Sequence, residues 1–307
     1  MKRREKMEEK FLESFDKTKI YTYEWNDVEK PVGVVQVIHG MAEHAERYGE
    51  FARALNNAGY IVFADDHRGH GKTSGVQKLG LYDGNDIFED TLQDEVFFSK
   101  MLKEKYHLPL YVFGHSYGSF LCQAYIEKCD IYEKAILCGS ALMKNRPEIF
   151  FAKMIAKLTL LNKGKDAPAK LIEKINYGGY LKKVKVGSWL NSDQAKAQEY
   201  YKDRFNGKPL SAKFYVDFFS AFGRIYRREY TDKIDRNKPI LIISGKCDPV
   251  GNMGKSVAEL YHFYIGLDVK NVKMKLYDGA RHEILNEPIR EQVYADIIAF
   301  LKDKNGK

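Results

Sequence analysis

The sequence predicts an α/β fold: a mostly parallel central sheet with helices on both faces, interrupted by an inserted helical block. Three observations predict it. Short β-branched runs alternate with amphipathic stretches, the pattern of a parallel sheet with crossover helices. That alternation stops after Ser140 and resumes at Pro239. The stretch between also differs in charge: residues 141–232 hold 19 Lys and Arg against 9 Asp and Glu, while the remainder holds 31 against 33. The expected organisation is a core built from residues 1–140 and 233–307, with a helical cap, or lid, inserted at 141–232.

The elements follow in order. "VGVVQVIHG" is a buried strand ending in glycine, and "YGEFARALNNAG" is a helix with Phe51, Leu55 and Ala58 on one face and Gly59 as its stop. "YIVFADD" is the next strand. "DIFEDTLQDEVFFSKMLKEKY" sets Ile87, Thr91, Val96, Phe97 and Leu102 at near-helical spacing. "LPLYVFG", "SFLCQAYIEK" and "KAILCGS" read as strand, helix and strand. In the block, "EIFFAKMIAKLTLL", "AKLIEKI" and "FYVDFFSAFGRIY" look helical. "PILIISG" resumes the strands, a helix follows near "GKSVAELYHFY", and "VKMKLYDG" and "PIREQVYADIIAFLKD" complete the pattern.

The 307 residues, 44% hydrophobic with a net charge of +8, suffice for a sizeable core. No stretch reaches the roughly 18 apolar residues of a membrane span. The start, "MKRREKMEEKFLESFDK", has no apolar run behind its basic residues, which argues against a secretory leader. Cys122, Cys129, Cys138 and Cys247 form no CxxC pair and fit free thiols in a reducing cytoplasm.

Open α/β sheets bind ligands beyond the carboxyl ends of their strands, so the residues after each strand matter most. There, Gly114-His115-Ser116-Tyr117-Gly118 places a serine between two glycines where a strand turns into a helix. A serine hydroxyl is a weak nucleophile that must be exposed and must meet a base. The sharp turn exposes it, and side chains at the two flanking glycines would clash with neighbouring backbone. The Tyr117 N–H, at the helix start, can stabilise an oxyanion. A second donor is expected from Met41, after His39-Gly40 at the end of an earlier strand. Of eight histidines, His282 alone follows a strand late in the chain, just ahead of a helix. The orienting acid should follow a strand between the two. Asp248 in "LIISGKCDPV" fits, with Asp278 in "YDGA" as runner-up and more naturally a turn residue.

With "HGMAEHAERY", "DDHRGHGKTSG", "GHSYGS", "GKCDPVGNMGK" and "YDGARHEILNE" in this order, the chain resembles the α/β-hydrolase superfamily. Within it, the chain is similar to the monoacylglycerol lipase and lysophospholipase group, related to the serine aminopeptidases. The resemblance implies a carboxylic ester hydrolase acting on single-chain lipids. It implies Ser116 as nucleophile, Asp248 and His282 as its partners, and Met41 and Tyr117 as oxyanion donors. It also implies that the inserted block covers an acyl-binding tunnel. Two positions depart from the group: Tyr117 stands where methionine is common, and Ser119 where glycine is common.

Other chemistries fit less well. "DDHRGHGKT" and "PVGNMGKS" imitate phosphate-binding loops, but Asp66 and Pro249 stand where the first glycine is needed. "HRGH" and "HGMAEH" hint at metal ligands, and "RHEILNE" lacks the second histidine of a zinc helix, so neither metal nor other cofactor is expected. A basic cap could mark a non-enzymatic module for anionic surfaces, nucleic acid included. No nucleic acid is expected here. The basic cap is instead expected to make transient contact with an anionic membrane surface. Short-chain carboxylesterase and aminopeptidase remain alternatives within the fold. An aminopeptidase needs a carboxylate for the free amine, and Glu148 or Asp217 could supply one. Phe150, Phe151, Phe214, Phe218, Phe219 and Phe222 are candidates to line the acyl site or to form plain cap core.

Overall fold

The computed structural model describes residues 7–184 and 187–303; the basic start at residues 1–6, part of the leader reading, lies outside them. The elements are β1 (Met7–Glu13), β2 (Lys19–Trp25), β3 (Gly33–Ile38), α1 (Gly49–Asn57), β4 (Tyr60–Asp66), α2 (Gly71–Ser74), α3 (Ile87–Tyr106), β5 (Leu110–His115), α4 (Tyr117–Lys128) and β6 (Lys134–Cys138). Then come α5 (Pro147–Lys163), α6 (Lys170–Val184), α7 (Gln194–Lys202), α8 (Ala212–Ala221), α9 (Arg228–Thr231), β7 (Ile240–Gly245), α10 (Lys255–Gly266), β8 (Val272–Tyr277) and α11 (Arg290–Lys302).

One eight-stranded sheet runs in the order β1-β2-β4-β3-β5-β6-β7-β8. From β4 to β8 every neighbouring pair is parallel. β3 and β5 are buried at every position, which is why they read as continuous apolar runs rather than alternating ones. This is the α/β-hydrolase fold.

The sequence reading left β1 and β2 unassigned. They pair antiparallel with each other, and β2 pairs antiparallel with β4. β1, MEEKFLE, has four charged residues among seven, so it lacks a buried face. Charge suits an edge strand, where it discourages pairing with other chains. β2 carries the aromatic signal, with Tyr23 and Trp25 stacked in the core.

The buried face of α3 also differs from the expected one. Val96 and Phe97 are only partly buried, while Phe88, Leu92 and Phe98 are in the core beside Asp94, Glu95 and Ser99. Polar pairing turns the helix this way. Gln36 Nε2 donates to Glu95 Oε2 at 2.6 Å, and Ser99 Oγ donates to Gln36 Oε1 at 2.5 Å. Arg68 Nε donates to Asp94 Oδ2 at 2.6 Å. The start of α3 is capped by Asp86, which accepts the Phe88 and Glu89 N–H groups.

Between β6 and β7 lie α5 to α9. α8 packs on α5 and α3. Its Phe214, Phe218 and Phe219, with Phe222 just beyond, share a core with Phe88, Tyr117 and Phe120, so this segment is fastened over the carboxyl end of β5. Among the described residues no helix is long and apolar enough to cross a membrane.

Candidate active site

Ser116 lies between the last residue of β5 and the first of α4, with φ 53° and ψ −117°. A non-glycine residue holds such a conformation only where its surroundings over-determine it. Here the Ser116 N–H donates to the Cys138 carbonyl at 2.9 Å, while the Ser116 carbonyl accepts the Ser119 N–H at 2.8 Å. The flanking glycines have no room for side chains. A Cβ on Gly114 would sit 2.3 Å from the Gly118 oxygen, and one on Gly118 would sit 2.0 Å from the Ile38 oxygen.

His282 and Asp248 are both buried. His282 Nδ1 donates to Asp248 Oδ2 at 2.9 Å. Asp248 is held in turn by the Ser244 hydroxyl at 3.0 Å and the Val250 N–H at 2.8 Å. Burial alone would push the imidazole down, but the Asp248 charge and hydrogen bond prevail and raise His282 above the ordinary 6.5. Burial would likewise raise Asp248, yet His282 and the three hydrogen bonds hold its carboxyl below 3.8.

Ser116, His282, Met41 and Tyr117 line one cavity of about 320 Å³, in the range of small-molecule sites. Asp248 stands behind His282 and does not face it. Phe120, Met143, Ile149, Phe218, Phe219 and Phe222 make one apolar wall; Glu43, Glu283, Tyr200 and Lys183 give another part polar character. Trp189 lies over His282, with ring centres 5.2 Å apart, and Leu190 accepts the Glu283 N–H at 2.8 Å. The segment between β6 and β7 thus packs against the loop that carries His282.

Several sequence candidates fall elsewhere. Phe150 and Phe151 are 62% and 63% exposed on the outer face of α5 and do not line the cavity. Phe214 is buried against Tyr117 and Phe218 without lining it. Asp217 accepts the Ile87 N–H, pairs with Lys213 and does not line the cavity; Glu148 does line it. Asp278 is exposed and pairs with Lys246. His115, beside the serine, lines the cavity and reaches the His282 carbonyl at 3.3 Å through Nε2. The sequence reading does not single out Trp189 and Tyr200, because no periodicity or motif marks a residue that packs in from a part of the chain distant in sequence; Glu283 lies inside "YDGARHEILNE" beside His282, where its letter reads as an ordinary surface acid until Arg47 is seen opposite it.

Among the described residues, Asp65, His67 and Glu95 bring potential metal-ligand atoms within 4.8 Å of one another. His67 Nδ1 lies 3.1 Å from Asp65 and 3.3 Å from Glu95. Burial, followed by the Asp65 charge, drives the Glu95 carboxyl well above its usual range. A proton held there reduces the charge this buried group has to carry.

The comparisons with known proteins agree with this architecture. Residues 29–289 match the family described as "Serine aminopeptidase, S33", and the chain belongs to that family. It is 26% identical over 292 residues to the monoglyceride lipase homolog of Monkeypox virus, covering 94% of this chain and 96% of that one. It is 27% identical over 288 residues to the monoglyceride lipase of Saccharomyces cerevisiae, covering 89% and 86%. Among solved structures, a thermostable carboxyl esterase from Bacillus coagulans superposes with a TM-score of 0.87 at 29% identity, covering 96% and 97%.

The packing of Gly118 against β3 gives a direct test. Gly118→Ala is expected to lose about 1–3 kcal/mol of stability, as overpacking does, because its neighbours there are backbone atoms that cannot rotate away. Urea denaturation measures it; an unchanged midpoint would contradict the close approach.

Proposed function

We propose that the chain is a serine hydrolase that cleaves carboxylic esters of single-chain lipids, such as monoacylglycerols, through an acyl-enzyme. One observation carries the proposal: Ser116, raised on the strained turn before α4, shares a cavity with a histidine clamped by a buried carboxylate. In the proposed reaction, Ser116 Oγ attacks the ester carbonyl carbon and His282 Nε2 takes the hydroxyl proton. The Met41 and Tyr117 N–H groups receive the oxyanion. Collapse breaks the bond to the alcohol oxygen, which leaves with the proton from His282. Water then attacks the acyl-enzyme by the same route and frees the acid and the serine. Asp248 holds the tautomer that leaves Nε2 open as base.

The lipid part draws on the apolar wall of phenylalanines and on the monoglyceride lipases of Saccharomyces cerevisiae and Mycolicibacterium smegmatis among the relatives. Residues 141–232 serve as the cap in this reading. On α5, Phe150, Phe151, Met154, Leu158 and Leu161 are exposed along the helix, Leu161 to 80%, with Lys157 and Lys163 exposed among them. An apolar stripe with lysines suits transient docking on an anionic lipid surface. An amine substrate is less well served. Of the three carboxylates that reach the cavity, Glu43 and Glu283 already pair with Arg47, which leaves Glu148 at the start of α5 as the one that could meet a free amine.

Ser116→Ala is expected to lower kcat for ester hydrolysis by at least about 1,000-fold with a wild-type thermal melt. Hydrolysis at near wild-type rate by that variant would defeat the proposal.

The raised His282 sets the pH dependence. The base works when neutral, so kcat/KM should rise with pH through the His282 value, with a midpoint above 6.5. A rate profile on a soluble ester measures it, and a midpoint at or below 6.5 would contradict the Asp248–His282 pairing as the dominant influence.

On a C2 to C16 ester series, kcat/KM should climb by up to about fourfold per methylene until the apolar wall is covered. Leu161→Asp should slow hydrolysis on anionic vesicles and leave a soluble butyrate ester unaffected. A falling series would rule out the lipid acyl group, and equal vesicle rates would rule out docking through α5.

A further inference from the structure

Glu43 is buried beside the cavity, and its two oxygens tie together three separate loops. Oε1 accepts the Gly40 N–H at 2.6 Å and the Tyr48 hydroxyl at 2.8 Å, and lies 3.3 Å from His115 Nδ1. Oε2 accepts from the Arg47 guanidinium. Arg47 Nη2 lies 2.7 Å from Glu283 Oε1, in the residue after His282. His115, next to Ser116, reaches the His282 carbonyl with its other nitrogen. One carboxylate therefore touches the turn after β3 directly, the serine turn through His115, and the histidine loop through Arg47. Burial would push the Glu43 carboxyl up, but the Arg47 charge and the His115 contact hold it well below its usual range, so it is ionised.

The turn it holds is strained and is clamped from the opposite side too. Ala42 has φ 56°, a left-handed conformation that a residue with a Cβ disfavours. Its carbonyl accepts the Tyr200 hydroxyl at 2.8 Å and the Gly207 N–H at 2.8 Å, both from the segment between β6 and β7. Met41, the proposed oxyanion donor, lies between Gly40, fixed by Glu43, and Ala42, fixed by that segment. A buried ion pair is weak as a source of stability compared with well-packed apolar side chains. Its geometry is what an apolar replacement could not supply.

We propose that Glu43 is a positioning residue: it fixes the turn that presents the Met41 N–H to the reacting carbonyl and, through Arg47 and Glu283, keeps that turn in register with the His282 loop. The proposal rests on the serine-hydrolase reading above. Since an oxyanion donor acts on the charge that develops in the transition state, loosening it should lower kcat and leave substrate binding largely intact.

The test uses Glu43→Gln and Glu283→Gln in the full chain, with kcat, KM and the affinity for a trifluoromethyl ketone that forms a tetrahedral adduct on the serine. Glu43→Gln is expected to lose about 10- to 100-fold in kcat, with KM within threefold and a parallel loss of ketone affinity. Glu283→Gln keeps the Gly40 contact and breaks only the far arm, so a smaller parallel loss, about 3- to 10-fold, is expected. A kcat within twofold of wild type in Glu43→Gln, or a kcat loss without loss of ketone affinity, would overturn the proposal. Should Glu43→Gln fail to fold by circular dichroism, Glu283→Gln decides it, and wild-type values there would overturn it. Failure of the underlying reading is seen separately, as hydrolysis that survives Ser116→Ala.

Discussion

The site depends on the close approach of α4 to β3. With no side chain at Gly118, the first turn of α4 comes against the Ile38 and His39 carbonyls. Everything around the cavity follows from that contact. It puts the helix start, with its free N–H groups, beside the turn after β3. It forces the chain at Ser116 into a positive φ and leaves the hydroxyl at the carboxyl end of the sheet. The parallel neighbours β6 and β7 then set the distances to the later loops. The Ser116 N–H is held by the end of β6, and Asp248 follows β7 by three residues.

Around this contact the buried charges are arranged in partnered groups, as the low dielectric requires. Asp248 has His282 and two further donors; Glu43 has Arg47, Gly40 and Tyr48; Arg68 has Asp94 and Asp16. The first two groups meet at the cavity, which Glu43 and His282 both line. Their charges act on the same imidazole: Glu283 and Glu43 add to the upward push that Asp248 gives His282. The local electrostatics therefore belong to a network wider than one acid and one base.

The legibility of the sequence follows its physics. The parallel strands were plain because burial on both faces leaves an unbroken apolar run, as in "VGVVQVI" and "PILIISG". Ser116, Asp248 and His282 could be singled out because each follows such a run, where the topology converges. β1 was missed because an exposed edge strand has no buried face to reveal. On α3, buried Asp94 and Glu95 look like solvent-facing residues until Arg68 and Gln36 are seen opposite them. Phe150 and Phe151 carry the same letters as Phe218 and Phe219, yet face solvent rather than the cavity. Helical spacing says which residues share a face, not what that face meets. Trp189 and Tyr200 reach the site from the segment between β6 and β7 through tertiary packing alone.

The central claim is that Ser116 carries the acyl group between two half-reactions. Mixing the protein with a long-chain p-nitrophenyl ester, quenching in acid within milliseconds and sequencing the peptides by mass spectrometry tests it most directly. An acyl mass adduct on the Ser116 side chain is expected, appearing with the burst of nitrophenol. Ester turnover with no adduct on Ser116, or with the adduct on a different residue, would contradict it.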